Sequence, residues 1–162
     1  MHPVHADTRV QEKPGAQVNT AIQIRSAKVD DAVEIAALIR QLGYEITVDV
    51  LRRKLAQLAA SDVDRVLVAE SGGHLLGCIG LHVTPVLHVE GALGRITALV
   101  VDGEHRSQGI GRELLLSAHA WFEAAGCTRF EVTSGDQRER AHRFYERQGY
   151  MRQGRRLART VA

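Results

Sequence analysis

The sequence predicts an α/β fold: one domain with a mixed central sheet of about six to seven strands, flanked by about four helices. Short apolar or alternating runs of strand length recur at residues 21–25, 65–70, 74–83, 96–101, 130–133 and 150–160. Segments between several of these runs carry the apolar spacing of amphipathic helices. The 162 residues are the size of one domain. The expected order is β-α-α-β-β-β-α-β-α-β.

The first half is predicted from caps and turn residues. Residues 30–39 form a helix with acids at its positive N-terminal end, and Gly43 ends it. Thr47 is placed to cap a second helix. Residues 71–73, Ser-Gly-Gly, join two strands in a hairpin, and Thr84-Pro85 interrupts the strand pattern after it.

The second half begins with the buried strand 96–101. A polar stretch and two glycines then lead into a helix with one apolar face, which Gly126 closes. Residues 130–133 form a short strand, residues 137–148 form a helix that Gly149 stops, and residues 150–160 form the last strand.

Composition excludes several classes of function. The net charge of +2 is too near neutral for nucleic acid or an anionic membrane to be the main partner. No apolar run is long enough to span a membrane. Cys78 and Cys127 are expected as buried thiols in a reducing cytoplasm, and the eight histidines lack metal-binding spacing. Residues 1–20 are expected to be a flexible extension before the domain at 21–162.

The segment VVDGEHRSQGIG, residues 100–111, has the pattern of an anion site. Free N–H groups and the helix dipole favour negative charge where a helix begins. Gly109 and Gly111 lack a Cβ, so a diphosphate can approach the backbone, and Arg106 can add a charged contact. A Walker loop would need Gly-Lys-Ser/Thr, and a dinucleotide loop needs a third small residue where Leu114 stands. A Gly-x-Gly taken alone equally fits a structural turn.

This segment resembles the acetyl-CoA signature of the GNAT family of N-acetyltransferases, Arg/Gln-x-x-Gly-x-Gly/Ala after a hydrophobic strand. The later segment AHRFYERQGY, residues 141–150, is similar to the family's second signature. Arg25 with Asp30 and Asp31 resembles the family's opening. The resemblance covers residues 21–160 and implies a GNAT-type domain with acetyl-CoA as cosubstrate.

The resemblance also implies where acetyl-CoA binds. The strand ending at Val101 separates from the next parallel strand, and the pantetheine arm pairs with the backbone of Leu99 and Val101. Residues 106–111 take the pyrophosphate, and Ser134 touches the arm. The implied cofactor-binding residues are Leu99, Val100, Val101, Arg106, Ser107, Gln108, Gly109, Ile110, Gly111, Arg112 and Ser134.

Tyr145 matches the family's tyrosine beside the thioester sulfur. Because a thiolate of pKa about 8.5 must leave, a phenol of pKa about 10 can act as hydrogen-bond donor and general acid. The alternative is an ordinary core aromatic that packs with Ala141 and Phe144 on one helix face.

The base that takes the amine proton is left open. Many relatives carry a glutamate on the strand before the signature, where this chain has Thr97. Glu90 is the candidate for that role, with His88 and His82 also near the preceding loop. A water chain without a dedicated base is the other alternative. His142, one helical turn before Tyr145, faces either the cleft or solvent.

The predicted function is transfer of acetyl to a primary amine of a small metabolite. The segment 132–145 is similar to aminoalkylphosphonate and small-amine acetyltransferases. A protein or peptide N-acetyltransferase and a non-catalytic acyl-CoA sensor are the alternatives. The C-terminal arginines, with few aromatics between them, are expected to be solvated and not to bind nucleic acid. Relatives often form dimers, so a homodimer is also considered.

Overall fold

The computed structural model describes residues 21–154 and 156–161. Five strands form one sheet in sequence order. The strands are β1 (Gln23–Ser26), β2 (Asp64–Ser71), β3 (His74–Pro85), β4 (Ala92–Val101) and β5 (Cys127–Val132). Neighbouring strands pair antiparallel from β1 to β4, whereas β4 and β5 are parallel. The predicted α/β class with a mixed sheet is confirmed.

Four α-helices flank the sheet. They are α1 (Ala32–Gln41), α2 (Val48–Ala59), α3 (Ile110–Ala124) and α4 (Glu139–Arg147). A 3-10 turn, Val29–Asp31, precedes α1, and another, Gly103–His105, follows β4. The predicted cap of α2 is confirmed, because the Val50 amide donates to Thr47 Oγ1 at 3.3 Å. No helix in the described part of the chain has the length and apolarity that crossing a bilayer requires.

The predicted hairpin is formed by β2 and β3. Gly72 and Gly73 have φ of 60° and 80°, the positive values that a tight two-residue turn of this hand requires. The expectation that Thr84-Pro85 interrupts the strand is wrong, because β3 continues to Pro85, which pairs with Ala92 at the end of the ladder. A proline is tolerated there because it lies at a strand end.

The predicted sheet of six to seven strands and its last strand, 150–160, are wrong. Residues 150–154 and 156–161 contain no strand, and from Met151 onward every described side chain is exposed. A strand gains stability from a partner and from burying one face. The Leu157 side chain, for example, is 94% exposed. Because the apolar side chains of this segment are not removed from water, they do not stabilise a strand. The predicted extension at 1–20 lies outside the described residues.

Two hydrophobic cores lie on opposite faces of the sheet. On β2, Leu67 and Ala69 pack in the core that contains α3, whereas Val68 between them packs with α1 and α2. Cys127 belongs to the first core and Cys78 to the second, and both are free and buried as predicted. Burial raises the pKa of the Cys78 thiol to about 12, so this thiol stays protonated.

Candidate active site

The parallel pairing of β4 and β5 covers only the first half of β4, because β5 ends at Val132. Their pairing runs from Ala92 opposite Cys127 to Ile96 opposite Val132 and ends there. β4 continues for five more residues, 97–101, of which residues 98–101 pair with β3. The backbone of this end of β4 therefore has an edge that β5 does not cover.

A β-bulge follows directly after the last residue of β4 that pairs with β5. Leu81 lies opposite Ile96 and Gly80 lies opposite Ala98, so Thr97 is an extra residue in β4. Ile96 packs in the α3 core and Val100 in the α1–α2 core, although residues four apart on a regular strand share a face. A bulge bends a strand and increases its twist. Gly80 faces the bulge, because a Cβ there would lie 2.6 Å from Thr97 Oγ1.

The loop after β4 carries the predicted anion site. Gly109 is the N-cap of α3, with φ of 83°, and Ser107 also has a positive φ, of 62°. A side-chain cap is absent at Gly109, so backbone N–H groups of the first turn have no such acceptor. Gln41 on α1 anchors the start of the loop with two hydrogen bonds. Its Nε2 donates to Asp102 Oδ1 at 2.8 Å, and its Oε1 accepts from the Gly103 amide at 2.9 Å.

A cleft of about 880 Å³ lies between this loop, the free end of β4 and α4. Ten of the sequence-predicted site residues line it: Leu99, Val100, Val101, Arg106, Ser107, Gly109, Ile110, Gly111, Arg112 and Tyr145. Gln108 lies in the same loop but is not among the lining residues. The cleft brings the glycine loop and Tyr145 together.

Ser134 lies two residues beyond β5, outside the set that lines the cleft. Its Oγ is buried, and no hydrogen-bond partner for it exists among the described residues. A buried hydroxyl without a partner costs free energy, so this atom is suited to accept or donate a bond to a bound group.

Glu90 lies elsewhere. It precedes β4, and its backbone carbonyl accepts from Thr128 Oγ1 at 2.6 Å. About 23 Å of extended strand separates Ala92 from Leu99, the first residue of β4 on the cleft. The structure thus does not bring Glu90 and Tyr145 together, and the role of Glu90 as a base stays a prediction. His82, the other nearby candidate, contacts Asp64 Oδ1 through Nδ1 at 2.7 Å.

Tyr145 is 8% exposed, and its ring packs edge-on against Phe144 and Tyr150 with centroids 5.2 and 5.5 Å away. Its hydroxyl makes no hydrogen bond within residues 21–154 and 156–161. Burial raises the pKa of this phenol well above its usual value, with a smaller raising effect from Tyr150 and an opposing effect from Arg138. Tyr145 therefore keeps its proton at neutral pH.

Sequence reasoning gave no role to two residues that shape the cleft. Gln41 bonds to Asp102, 61 positions away in sequence, and so fixes the start of the glycine loop. Arg138, before α4, donates through Nη2 to the carbonyl of Leu42 at 2.5 Å and joins α4 to the α1–α2 connection. Local spacing predicts neither of these contacts. In the described part of the chain, no group of three or more His, Cys, Asp or Glu residues could hold a metal.

Comparison with known proteins agrees with this architecture. The family model "Acetyltransferase (GNAT) family" matches residues 34–150. An aminoalkylphosphonate N-acetyltransferase from Salmonella typhimurium strain LT2 is 33% identical over 129 residues, which are 79% of this chain and 84% of the relative.

Solved structures have the same fold. An aminoglycoside N-acetyltransferase in complex with CoA has a TM-score of 0.80 at 13% identity, covering 90% of this chain and 97% of the other. A glucosamine-6-phosphate N-acetyltransferase from Arabidopsis thaliana has a TM-score of 0.75 at 18% identity, covering 88% and 99%. The chain belongs to the GNAT acetyltransferase family. Its enzyme class is that of the acetyl-CoA-dependent acyltransferases.

Proposed function

We propose that this enzyme transfers the acetyl group of acetyl-CoA to a primary amine of a small metabolite by direct attack. The observation that carries the proposal is the free end of β4, residues 97–101, beside the glycine loop in one cleft. In this proposal the pantetheine arm pairs with the backbone of Leu99 and Val101 as an added strand would. Ser134 Oγ supplies a further hydrogen bond to the arm.

The loop residues 106–112 hold the pyrophosphate. The N–H groups at the start of α3 point at an anion, and Arg106 and Arg112 on the cleft add positive charge. The positive φ of Gly109 turns the loop into α3 at this point.

Bound acetyl-CoA supplies an activated acetyl thioester. The amine nitrogen forms a bond to the acetyl carbon, and the carbon–sulfur bond breaks. Tyr145, which is protonated at neutral pH, donates a hydrogen bond and then its proton to the departing sulfur, and water returns a proton to the phenolate. The proton that the amine loses passes to water, because Glu90, the base predicted from the sequence, does not line the cleft.

The acceptor class rests on the Salmonella relative, whose name states that it acetylates an aminoalkylphosphonate. We propose a small amine that carries an anionic group as the first class to examine.

The test is calorimetric titration of the full chain with acetyl-CoA, CoA and ATP, followed by release of free thiol with a panel of amines. We expect micromolar binding of both CoA species, far weaker binding of ATP, and turnover with aminoalkylphosphonates or other small amines. Turnover with peptides alone would assign a peptide N-acetyltransferase. Tight binding without turnover on any acceptor would assign a sensor, and no binding by a folded sample would contradict the cofactor assignment.

A further inference from the structure

The α4 wall of the cleft carries a stripe of arginines, which we call the arginine stripe: Arg140, Arg143 and Arg147. All three line the cleft. At 100° per residue, as in an α-helix, their positions fall within about 60° of arc on one side of α4. The cleft therefore has a second concentration of positive charge besides Arg106 and Arg112.

The charges of this stripe are poorly neutralised by the protein. Arg143 approaches Glu139 Oε2 only at 3.5 Å, between side chains that are 58% and 78% exposed, which makes a weak surface pair. Within residues 21–154 and 156–161, Arg140 and Arg147 have neither an ion pair nor a side-chain hydrogen bond. Three guanidinium groups are thus available to a ligand.

The arginine stripe lies next to the glycine loop, residues 106–112. A Cβ on Gly111 would lie 3.4 Å from Cζ of the Phe144 ring, so the first turn of α3 contacts α4 at this residue. Phe144 lies between Arg140, one turn before it, and Arg147, one turn after it. Residues three and four apart on a helix are surface neighbours, so Arg140 and Arg147 both lie beside Phe144. Only the Phe144 ring therefore separates the arginine stripe from the loop at Gly111.

We propose that the arginine stripe binds the 3′-phosphate of the coenzyme and makes the enzyme prefer CoA to dephospho-CoA. This inference rests on the proposed acetyl-CoA function. The 3′-phosphate is carried by the ribose attached to the pyrophosphate, so a pyrophosphate on the loop brings it near. A phosphate monoester carries close to two negative charges at neutral pH and accepts paired N–H bonds from guanidinium groups.

The test compares CoA with dephospho-CoA, which lacks only the 3′-phosphate, by calorimetric titration of the full chain. The variant removes the stripe as R140Q/R143Q/R147Q. The matched control, R52Q/R53Q/K54Q, removes the same charge from exposed positions on α2 that do not line the cleft. Circular dichroism checks that each variant is folded.

We expect the wild type to bind CoA about tenfold or more tightly than dephospho-CoA, because charge-assisted bonds to phosphate are strong. In the stripe variant the two affinities should differ by less than about twofold, with dephospho-CoA binding little changed. The control should keep the wild-type ratio. A wild type that binds both coenzymes equally, or a ratio that survives in the stripe variant, overturns this inference and leaves the acetyl-CoA function standing. A folded wild type that binds neither coenzyme contradicts the acetyl-CoA function itself.

Discussion

At the residue scale, the position of Tyr145 is compatible with both roles that the sequence left as alternatives. Its ring is packed in the α3 core, as an ordinary core aromatic would be. Its side chain also lines the cleft, and its hydroxyl has no protein partner among the described residues. Packing fixes the ring, and an unbonded hydroxyl can donate to a ligand, so the two roles support each other.

The first prediction concerns that hydroxyl. Tyr145→Phe keeps the ring and removes the proton donor, so we expect kcat to fall about 100-fold, the scale of a general acid. The Kd for acetyl-CoA should change less than about twofold, because the packing of the ring is unaltered. Steady-state kinetics and calorimetry measure the two quantities.

The matched control is Tyr150→Phe. The Tyr150 hydroxyl bonds His119 Nε2 at 2.8 Å, and Tyr150 does not line the cleft. This variant loses a partly buried phenol without losing the proposed donor and should keep most of its turnover. Equal kcat for Tyr145→Phe and wild type would remove Tyr145 from the mechanism.

At the element scale, the start of α3 depends on Gly109. Its φ of 83° is rarely adopted by residues with a side chain, yet a Cβ there would meet nothing within 4 Å. A side chain can therefore be accommodated at the cost of strain. Asparagine tolerates this conformation better than most residues, which permits a comparison of two side chains of equal size.

The second prediction uses that comparison. Gly109→Asp should weaken acetyl-CoA binding about 100-fold or more relative to Gly109→Asn, because a carboxylate would face the pyrophosphate at close range. Both variants should lose similar stability, which thermal unfolding checks. Identical affinities in the two variants would mean that no anion binds at this loop.

The bulge in β4 is the other decisive element. Gly80 leaves room for Thr97 Oγ1, which would lie 2.6 Å from an added Cβ. We predict that Gly80→Ala lowers the free energy of unfolding by about 1–3 kcal/mol, as overpacking does. In that background, Thr97→Ala should recover most of the loss, because it removes the clashing atom.

Thr97→Val is the control for the bulge, since it keeps an atom in the place of Oγ1 and should not restore stability. Urea unfolding of the wild type, Gly80→Ala, Thr97→Ala and the double variant gives the coupling energy between the two residues. Purely additive effects of Gly80→Ala and Thr97→Ala would show that the two residues do not interact.

At the scale of the whole molecule, the sheet is stabilised by a core on each face. Phe122 of α3 is fully buried in the core that reaches the active-site cleft. A Cβ on Gly94 would lie 2.6 Å from its ring, so β4 approaches the ring as closely as a glycine allows. This contact holds α3 on the sheet and thereby sets the position of its first turn.

We predict that Phe122→Ala lowers the free energy of unfolding by about 3–5 kcal/mol, the usual cost of a large aromatic cavity. Leu116→Ala on the same helix is the control. Leu116 is 43% exposed and should lose less than about 1 kcal/mol. Similar losses for both variants would contradict the central position of Phe122 in the core.

The sequence by itself determined the features that depend on local chemistry. Thr47, the glycines of the hairpin turn and the glycines that end α1, α3 and α4 mark element boundaries, because caps and positive φ values act within a few residues. The glycine loop before α3 and the segment 141–150 were sufficient to indicate the family, which the family match confirms.

Tertiary structure alone decided the features that depend on pairing between distant segments. The bulge at Thr97 cannot be read from an apolar run that looks continuous, because it exists only in the register with β3. Gln41 and Arg138 reach their partners across 61 and 96 positions, and no local pattern predicts these contacts. The prediction of a last strand at 150–160 was wrong for the same reason. Apolar residues form a strand only if a partner strand and a buried face are available, and the described part of this segment has neither.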